Sequence, residues 1–145
     1  GAISRYPLPL ITIDLGTATT FNVVDKNRRF SGGLILPGVG TAHRALLGRT
    51  AQLPKGDIHM PAHTIGVNTQ ECITGGMLFG NACAIDGLIR RINAELGQKA
   101  TVVATGGYAT TVIPHCETKI SIDQNLLMKG LRSIYENNKS TGSPD

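Results

Sequence analysis

The sequence predicts a mixed α/β fold in which a three-stranded antiparallel meander is followed by helices interleaved with further strands. Two patterns support this prediction: three short β-branched segments separated by turns, and then helical periodicities that alternate with more strand-like segments. The predicted order is β-β-β-α-α-β-α-β-α, with no internal repeat. The chain has 145 residues, which is long enough for one domain with a core and too short for two ordinary ones.

The meander is the first predicted unit. Its strands fall over residues 10–14, 18–25 and 30–36. The paired glycines Gly32 and Gly33 within the third strand predict a β-bulge or a close backbone approach, and Pro37 ends the meander. Two prolines in residues 1–9 lead directly into the first strand, which favours a chain that continues from something upstream.

Two helices follow the meander. The spacing of apolar residues predicts the first helix over 39–53 and a loop over 54–68. The second helix is longer, over 70–96. Thr69 is predicted to be its N-cap because the hydroxyl can accept hydrogen bonds from the free N–H groups, and Gly97 is the predicted stop.

The last third of the chain alternates short strands and helices. The pattern predicts them over 101–104, 108–113, 120–122 and 124–136. Asp123 is a good N-cap for the final helix. Residues 137–145 are polar and are expected to fray.

Charge and aromatic content argue against a nucleic-acid-binding protein. The net charge of +4 comes from 14 basic and 10 acidic residues, and its densest clusters are only residues 26–29 and 90–91. The chain has three Tyr, three Phe and no Trp, which disfavours a stacking platform for single strands.

The spacing of the cysteines and the hydropathy of the chain argue against further kinds of protein. Cys72, Cys83 and Cys116 form no C-x-x-C pair, so neither a disulfide framework nor a zinc site is expected. They are predicted to be small buried hydrophobic residues in a protein of the reducing cytosol. The longest apolar run, residues 8–13, predicts neither a membrane span nor a signal peptide, and the four histidines show no metal-binding pattern.

The turn after the first strand is the first candidate site. Asp14 ends a buried strand, and Gly16 and Thr17 follow in a tight turn. Outward-facing N–H groups and hydroxyls in such a turn can cradle phosphate oxygens, while the carboxylate holds a cation. The alternative is an ordinary hairpin turn in which Asp14 bonds its own loop.

Two further turns are candidate ligand sites. Gly106 and Gly107, after Thr105, would let a nucleotide base or ribose approach the backbone; the alternative is a plain strand-to-helix turn. Thr69, at the start of the long helix, could bond a polar group of a small substrate, or serve only as the cap. In the same helix, small residues between Gly76 and Gly87 predict close packing on a neighbour, in this chain or a partner.

Five segments in register resemble the type III pantothenate kinase family. They are residues 14–25, 32–38, 65–69, 105–107 and 129–137. The resemblance implies an actin-like, ribonuclease-H-like fold of two related domains. It implies that residues 1–138 are the C-terminal domain, that 139–145 form a disordered tail, and that the N-terminal domain is absent from this sequence.

The resemblance also implies an activity. Such kinases phosphorylate pantothenate with ATP in the first step of coenzyme A synthesis, and they need Mg2+ and a monovalent cation, K+ or NH4+. The family's active form is a homodimer in the cytoplasm, with pantothenate at the subunit interface; neither nucleic acid nor membrane is an expected partner. The segment between Gly76 and Gly87 is then a candidate dimer helix.

Site roles carry over residue by residue. By position, Asp14 matches the Asp that binds the monovalent cation, and Thr17 with Gly16 matches the ATP contact. Gly106 and Gly107 match the turn beside the adenosine. Thr69 matches the Thr that binds pantothenate.

Two departures from the family pattern stand out. The usual Asp after Thr-Thr-Phe is Asn22 here. The general base of the family belongs to the N-terminal domain, so no catalytic residue is assigned in this chain and it is expected to be inactive alone. Two alternatives remain: a non-catalytic regulator similar to the Bvg accessory factor, which shares the fold, and another actin-like small-molecule kinase or phosphatase.

Overall fold

The protein was analysed as a computed structural model that describes residues 1–48, 58 and 60–140. The end of the first predicted helix, the start of the following loop and the last five residues of the predicted tail lie outside the described residues. Everything that forms the sheet and the candidate site lies within them.

Five strands form one mixed sheet. They are β1 (Leu10–Leu15), β2 (Ala18–Val24), β3 (Phe30–Pro37), β4 (Thr101–Thr105) and β5 (Ser121–Ile122). The sheet order is β3-β2-β1-β4-β5. β1, β2 and β3 pair antiparallel, which confirms the predicted meander, whereas β4 and β5 are added parallel to β1. The parallel addition requires a crossover between β3 and β4, which the helices supply.

The described ranges also contain four helices and one 3-10 turn. They are α1 (Val39–Gly48), α2 (Thr69–Leu96), α3 (Ala109–Val112), the 3-10 turn Ile113–His115 and α4 (Leu126–Ser140). Gly97 ends α2 in the left-handed region at φ 68°, as predicted. The last helix starts two residues later than predicted and runs to Ser140.

The main core lies between one face of the sheet and the helices α1, α2 and α3. Ile11, Ile13 and Phe21 point into it from the strands, and Leu78 and Ile85 from α2; each is at most 1% exposed. By length and composition alone α2 is apolar enough to cross a membrane, with a mean hydropathy of 1.4. Here it packs on the sheet, as core helices of globular domains do, so this finding is weak evidence for a span.

The opposite face of the sheet is only partly covered. A small cluster of Ala2, Leu10, Val24, Val103 and Leu126 joins the N-terminal segment and the start of α4 to that face. Beyond Leu126 the apolar side of α4 is open, and its large side chains are more than half exposed. These are Leu127, Met128, Leu131, Ile134 and Tyr135.

The predicted bulge is confirmed. Gly32 has a φ of 114°, and the β2–β3 register shifts between Val23 and Val24. At Gly33 any side chain is excluded, since a Cβ there would collide with the carbonyl oxygen of Phe21 in the neighbouring strand. This glycine pair lets β3 lie close to β2 where a larger residue would separate them.

Two cysteine predictions were wrong. Cys72 and Cys83 are exposed, because both lie on the side of α2 that faces away from the sheet; Cys116 is half-buried. Burial raises the pKa of the Cys116 thiol to about 12, with nearby Asp86 and Cys83 adding to the effect. That thiol stays protonated at neutral pH and is a poor nucleophile.

Asp86, in the middle of α2, fixes the segment that leads into β5. Its carboxylate is buried and accepts hydrogen bonds from the backbone N–H of Glu117 at 2.8 Å and of Thr118 at 2.9 Å. Burial alone would raise the pKa of Asp86. The hydrogen bonds from Thr118 and Glu117, with the charge of Arg90, outweigh burial and hold that pKa below its ordinary value.

Asp86→Asn should lower the free energy of unfolding by about 2–3 kcal/mol at pH 7. The asparagine amide can accept from only one of the backbone N–H groups of Glu117 and Thr118, because its NH2 group faces the other. A lowered pKa means that the carboxylate's contribution is present above the unfolded-state pKa and is lost as the pH falls through the folded-state pKa. Urea titrations should therefore show a gap between the two proteins that narrows below about pH 4. Glu117→Gln, an exposed neighbour, is the control, and an equal loss in it would contradict the assignment.

Candidate functional site

The carboxyl ends of β1 and β4 meet beside the end at which β2 begins. In register, Asp14 lies opposite Thr20 of β2 on one side and Thr105 of β4 on the other. Residues paired in this way point to the same face of the sheet. The Asp14 carboxylate is therefore flanked by two hydroxyl-bearing side chains, on the sheet face that the helical layer leaves open.

Within the described part of the chain, nothing pairs with the Asp14 carboxylate. Among the described residues it forms no ion pair and no hydrogen bond, and its side chain is exposed. The same sheet face carries Thr12 and Asn22, whose side chains lie 3.4 Å apart between Oγ1 and Nδ2. A carboxylate flanked by the hydroxyl-bearing Thr20 and Thr105 offers hard oxygen ligands, which suit a cation such as Mg2+ or Ca2+.

The glycine turn after β4 lies against Asp14. Gly106 has a φ of 98°, and a Cβ on it would lie 2.6 Å from Oδ1 of Asp14 and 2.7 Å from the backbone nitrogen of Leu15. The backbone N–H of Tyr108 donates to the Leu15 carbonyl at 3.2 Å, so the turn is tied to the end of β1. At this position only glycine allows the two turns to approach.

The same turn is held from its other side by the segment before α4. The backbone N–H of Asp123 donates to the Ala104 carbonyl at 2.8 Å, and Gln124 Nε2 donates to the Gly106 carbonyl at 3.1 Å. Lys129 Nζ lies 2.7 Å from Asp123 Oδ2. The hydrogen bonds and positive charge of Lys129 hold the pKa of Asp123 below its usual range. Asp123 also accepts from the Asn125 N–H at 3.1 Å, but α4 begins at Leu126, so Asn125 and not the predicted Asp123 directly precedes the helix.

The turn after β1 is fixed by the start of α1. The Thr17 carbonyl accepts from the Gly38 N–H at 3.1 Å and from the Thr41 hydroxyl at 2.8 Å. A Cβ on Gly38 would collide with the carbonyls of Gly16 and Thr17. The structure thus places Asp14, the Gly16–Thr17 turn and the Gly106–Gly107 turn together.

Thr69 is not the N-cap of α2, contrary to prediction. The cap is Asn68, whose Oδ1 accepts from the Glu71 N–H at 2.9 Å, while the Glu71 carboxylate accepts from the Val67 N–H at 3.0 Å. This arrangement is close to a capping box, except that the Glu71 carboxylate accepts from the N–H of the residue before the cap and not from the cap's own N–H. Thr69 is the first helical residue, exposed, and no hydrogen bond among the described residues engages its hydroxyl.

The sequence alone missed Thr20, Thr41 and Gly38 as parts of this site. Each becomes a neighbour of the Asp14 or Thr17 turn only through strand register or through the start of α1, and neither can be derived from spacing along the chain. No group of three or more His, Cys, Asp or Glu residues that could hold a metal ion occurs among the described residues. A cation at Asp14 would therefore share its coordination with hydroxyls, water or a bound phosphate.

A family model for type III pantothenate kinase matches residues 1–91. The chain belongs to the type III pantothenate kinase family. It is 45% identical over 139 residues to the type III pantothenate kinase of Brevibacillus brevis, covering 96% of this chain and 54% of that protein. To the Exiguobacterium sp. enzyme of the same name it is 42% identical over 137 residues, covering 94% and 54%. The chain thus spans about half the length of these kinase relatives.

The fold of this kinase-family chain recurs in a solved structure. A Baf family transcriptional activator from Campylobacter jejuni superposes with a TM-score of 0.60 at 20% identity, covering 90% of this chain and 58% of that one. The mixed five-stranded sheet with its helical layer agrees with the ribonuclease-H-like fold that the family resemblance implies.

Proposed function

We propose that this chain is the C-terminal ribonuclease-H-like domain, residues 1–138, of a kinase that transfers a phosphoryl group from ATP to pantothenate and yields 4'-phosphopantothenate. The observation that carries the proposal is the assembly of Asp14, the Gly16–Thr17 turn and the Gly106–Gly107 turn at one sheet edge. Relatives of the same family carry the name of this enzyme over 92% or more of the chain.

The proposed roles are those that the family resemblance implies, and the grouping of these residues at one end of the sheet supports them. The Gly16–Thr17 turn would receive the ATP phosphates, and the Gly106–Gly107 turn would lie beside the adenosine. Asp14 would hold the monovalent cation, K+ or NH4+, and Mg2+ would be bound through the phosphates. Phosphoryl transfer depends on such positioning and charge neutralisation more than on covalent chemistry by the protein.

The activity would require a second domain. We assign no general base to this chain and expect no turnover from it alone. The open apolar side of α4, with Leu131, Ile134 and Tyr135 exposed to 54%, 60% and 66%, supports a larger assembly because monomeric domains rarely leave such a row uncovered.

We further propose a cytoplasmic homodimer. The outer side of α2 supports it: a Cβ on Gly76 or Gly80 would meet nothing within 4 Å, so the close packing expected there is not supplied within the described chain. A partner helix could approach this face closely.

Thr69 is proposed to bind pantothenate through its unengaged hydroxyl. Thr69→Val in the full-length enzyme should raise the KM for pantothenate about tenfold, the value of one lost hydrogen bond to a ligand, while stability stays unchanged. Asn68→Ala should do the reverse, lowering stability by about 1 kcal/mol through loss of the cap. Initial rates and urea melts of both variants test this. Equal urea midpoints for Asn68→Ala and wild type, or an unchanged KM for pantothenate in Thr69→Val, would contradict this division of roles.

The function itself is tested with the full-length protein, pantothenate and Mg2+-ATP, with and without K+. Formation of 4'-phosphopantothenate that depends on K+ is the expected result. A folded protein that makes none would overturn the proposal and favour the non-catalytic regulator that shares this fold.

A further inference from the structure

Arg44 has no assigned role, and no charged side chain in the described part of the chain pairs with it. It is exposed on α1, and among the described residues it forms no ion pair. Its hydrogen bond is a long one, in which Nη2 donates to the Thr41 hydroxyl at 3.4 Å. An exposed arginine usually lies near a carboxylate or free in solvent, whereas this guanidinium lies above the first turn of its helix.

The Arg44 guanidinium is connected to the Gly16–Thr17 turn through one side chain. The Thr41 hydroxyl that accepts from Arg44 donates to the Thr17 carbonyl at 2.8 Å. Arg44, Thr41 and Thr17 therefore form a continuous series from the guanidinium to the turn after β1. The guanidinium is thus two hydrogen bonds away from the turn that is proposed to receive the ATP phosphates.

Tyr108 meets Arg44 at the same place. A Cβ on Gly40 would lie 2.7 Å from the Tyr108 hydroxyl oxygen and 3.3 Å from Nη1 of Arg44, so both side chains end above this glycine. Tyr108 immediately follows the Gly106–Gly107 turn. Its hydroxyl makes no hydrogen bond among the described residues and remains available as a donor.

We propose that Arg44 is a nucleotide-binding residue that contacts the phosphates of ATP, with Thr41 as its positioning residue and the Tyr108 hydroxyl as a second donor. The proposal rests on the proposed kinase function. It deepens that function by adding a positively charged side chain to a site at which Asp14 is acidic and the two turns contribute neutral groups. Guanidinium groups bind phosphate oxygens through charge-assisted hydrogen bonds. Gly40 is part of the arrangement because a side chain there would displace both partners.

The test measures equilibrium binding of ADP to the full-length protein by calorimetry, and the KM for ATP. Arg44→Ala should weaken ADP binding about tenfold and flatten its dependence on salt, since one charge-assisted contact is lost. The KM for pantothenate should stay within about twofold, inside ordinary non-specific variation. Arg91→Ala, which removes an exposed arginine from α2, is the control for net charge.

Gly40→Ala gives an independent variant that leaves every charge in place. Its methyl group meets the hydroxyl and ring edge of Tyr108 and one guanidinium nitrogen of Arg44, which must shift, while alanine favours the helix, so stability should fall by less than about 1 kcal/mol. ADP binding should weaken nonetheless. Binding by Arg44→Ala equal to that of wild type would overturn the proposal, as would a wild-type protein that binds no ADP. A wild type that binds ADP but leaves pantothenate unmodified would refute the kinase function, while the Arg44 comparison would still decide this proposal.

Discussion

Gly106→Ala is expected to destabilise the protein by about 2–4 kcal/mol and to reduce pantothenate phosphorylation at least tenfold. The alanine would have to adopt a φ of 98°, and its Cβ would lie 2.6 Å from Asp14 Oδ1 and 2.7 Å from the Leu15 backbone. Because the obstacle on the Leu15 side is backbone, the turn itself must move away from β1. Urea titration and initial rates in the full-length enzyme would measure both effects.

Gly107→Ala is the matched control. The adjacent glycine has an ordinary φ, and a Cβ there would meet nothing within 4 Å. Its stability should stay within about 0.5 kcal/mol of wild type, as for other unconstrained surface positions. If the two alanine variants lost stability equally, the close approach of the Gly106 turn to Asp14 would not be the cause.

Asp14→Asn should have the larger effect on activity and almost none on stability. The carboxylate is exposed and unpaired among the described residues, so its neutralisation should change the unfolding free energy by less than about 0.5 kcal/mol. Turnover should fall by about 100-fold or more, the usual cost of removing one preorganised electrostatic group, and the dependence on K+ should disappear. Steady-state kinetics over a K+ titration measures this.

A second carboxylate variant controls for net charge. Glu95→Gln neutralises an exposed side chain near the end of α2, away from the carboxyl end of β1, and should retain full, K+-dependent turnover. If Asp14→Asn retained its response to K+, the cation would have to bind elsewhere.

Most of the fold could be predicted because local patterns determine it. The β-branched segments of β1 to β3, the bulge at Gly32 and the stop at Gly97 each depend on neighbours within a few residues. The N-cap prediction for α2 was wrong because two adjacent residues can both cap this helix. Asn68 and Thr69 are both good capping residues, and the choice depends on Glu71, whose backbone N–H donates to Asn68 and whose carboxylate reaches back to the N–H of Val67.

The candidate site was only partly predictable for a different reason. Asp14, Thr17 and Gly106 stand in turns that are visible in the sequence. Thr20, Thr41 and Arg44 join them through strand register and the direction of α1, which follow from packing of the whole domain. Cys72 and Cys83 show the same limit, since which side of α2 meets the sheet is decided by the strands that it covers.

The central claim is that Asp14, Thr17 and the Gly106 turn form one nucleotide and cation site. A crystal structure of the full-length protein with ADP, Mg2+ and thallium in place of K+ tests it most directly, because thallium is located by its anomalous scattering. We expect a thallium peak at the Asp14 carboxylate and nucleotide phosphates at the Thr17 turn. Well-ordered nucleotide bound away from both turns, or thallium sites that do not include Asp14, would contradict the account.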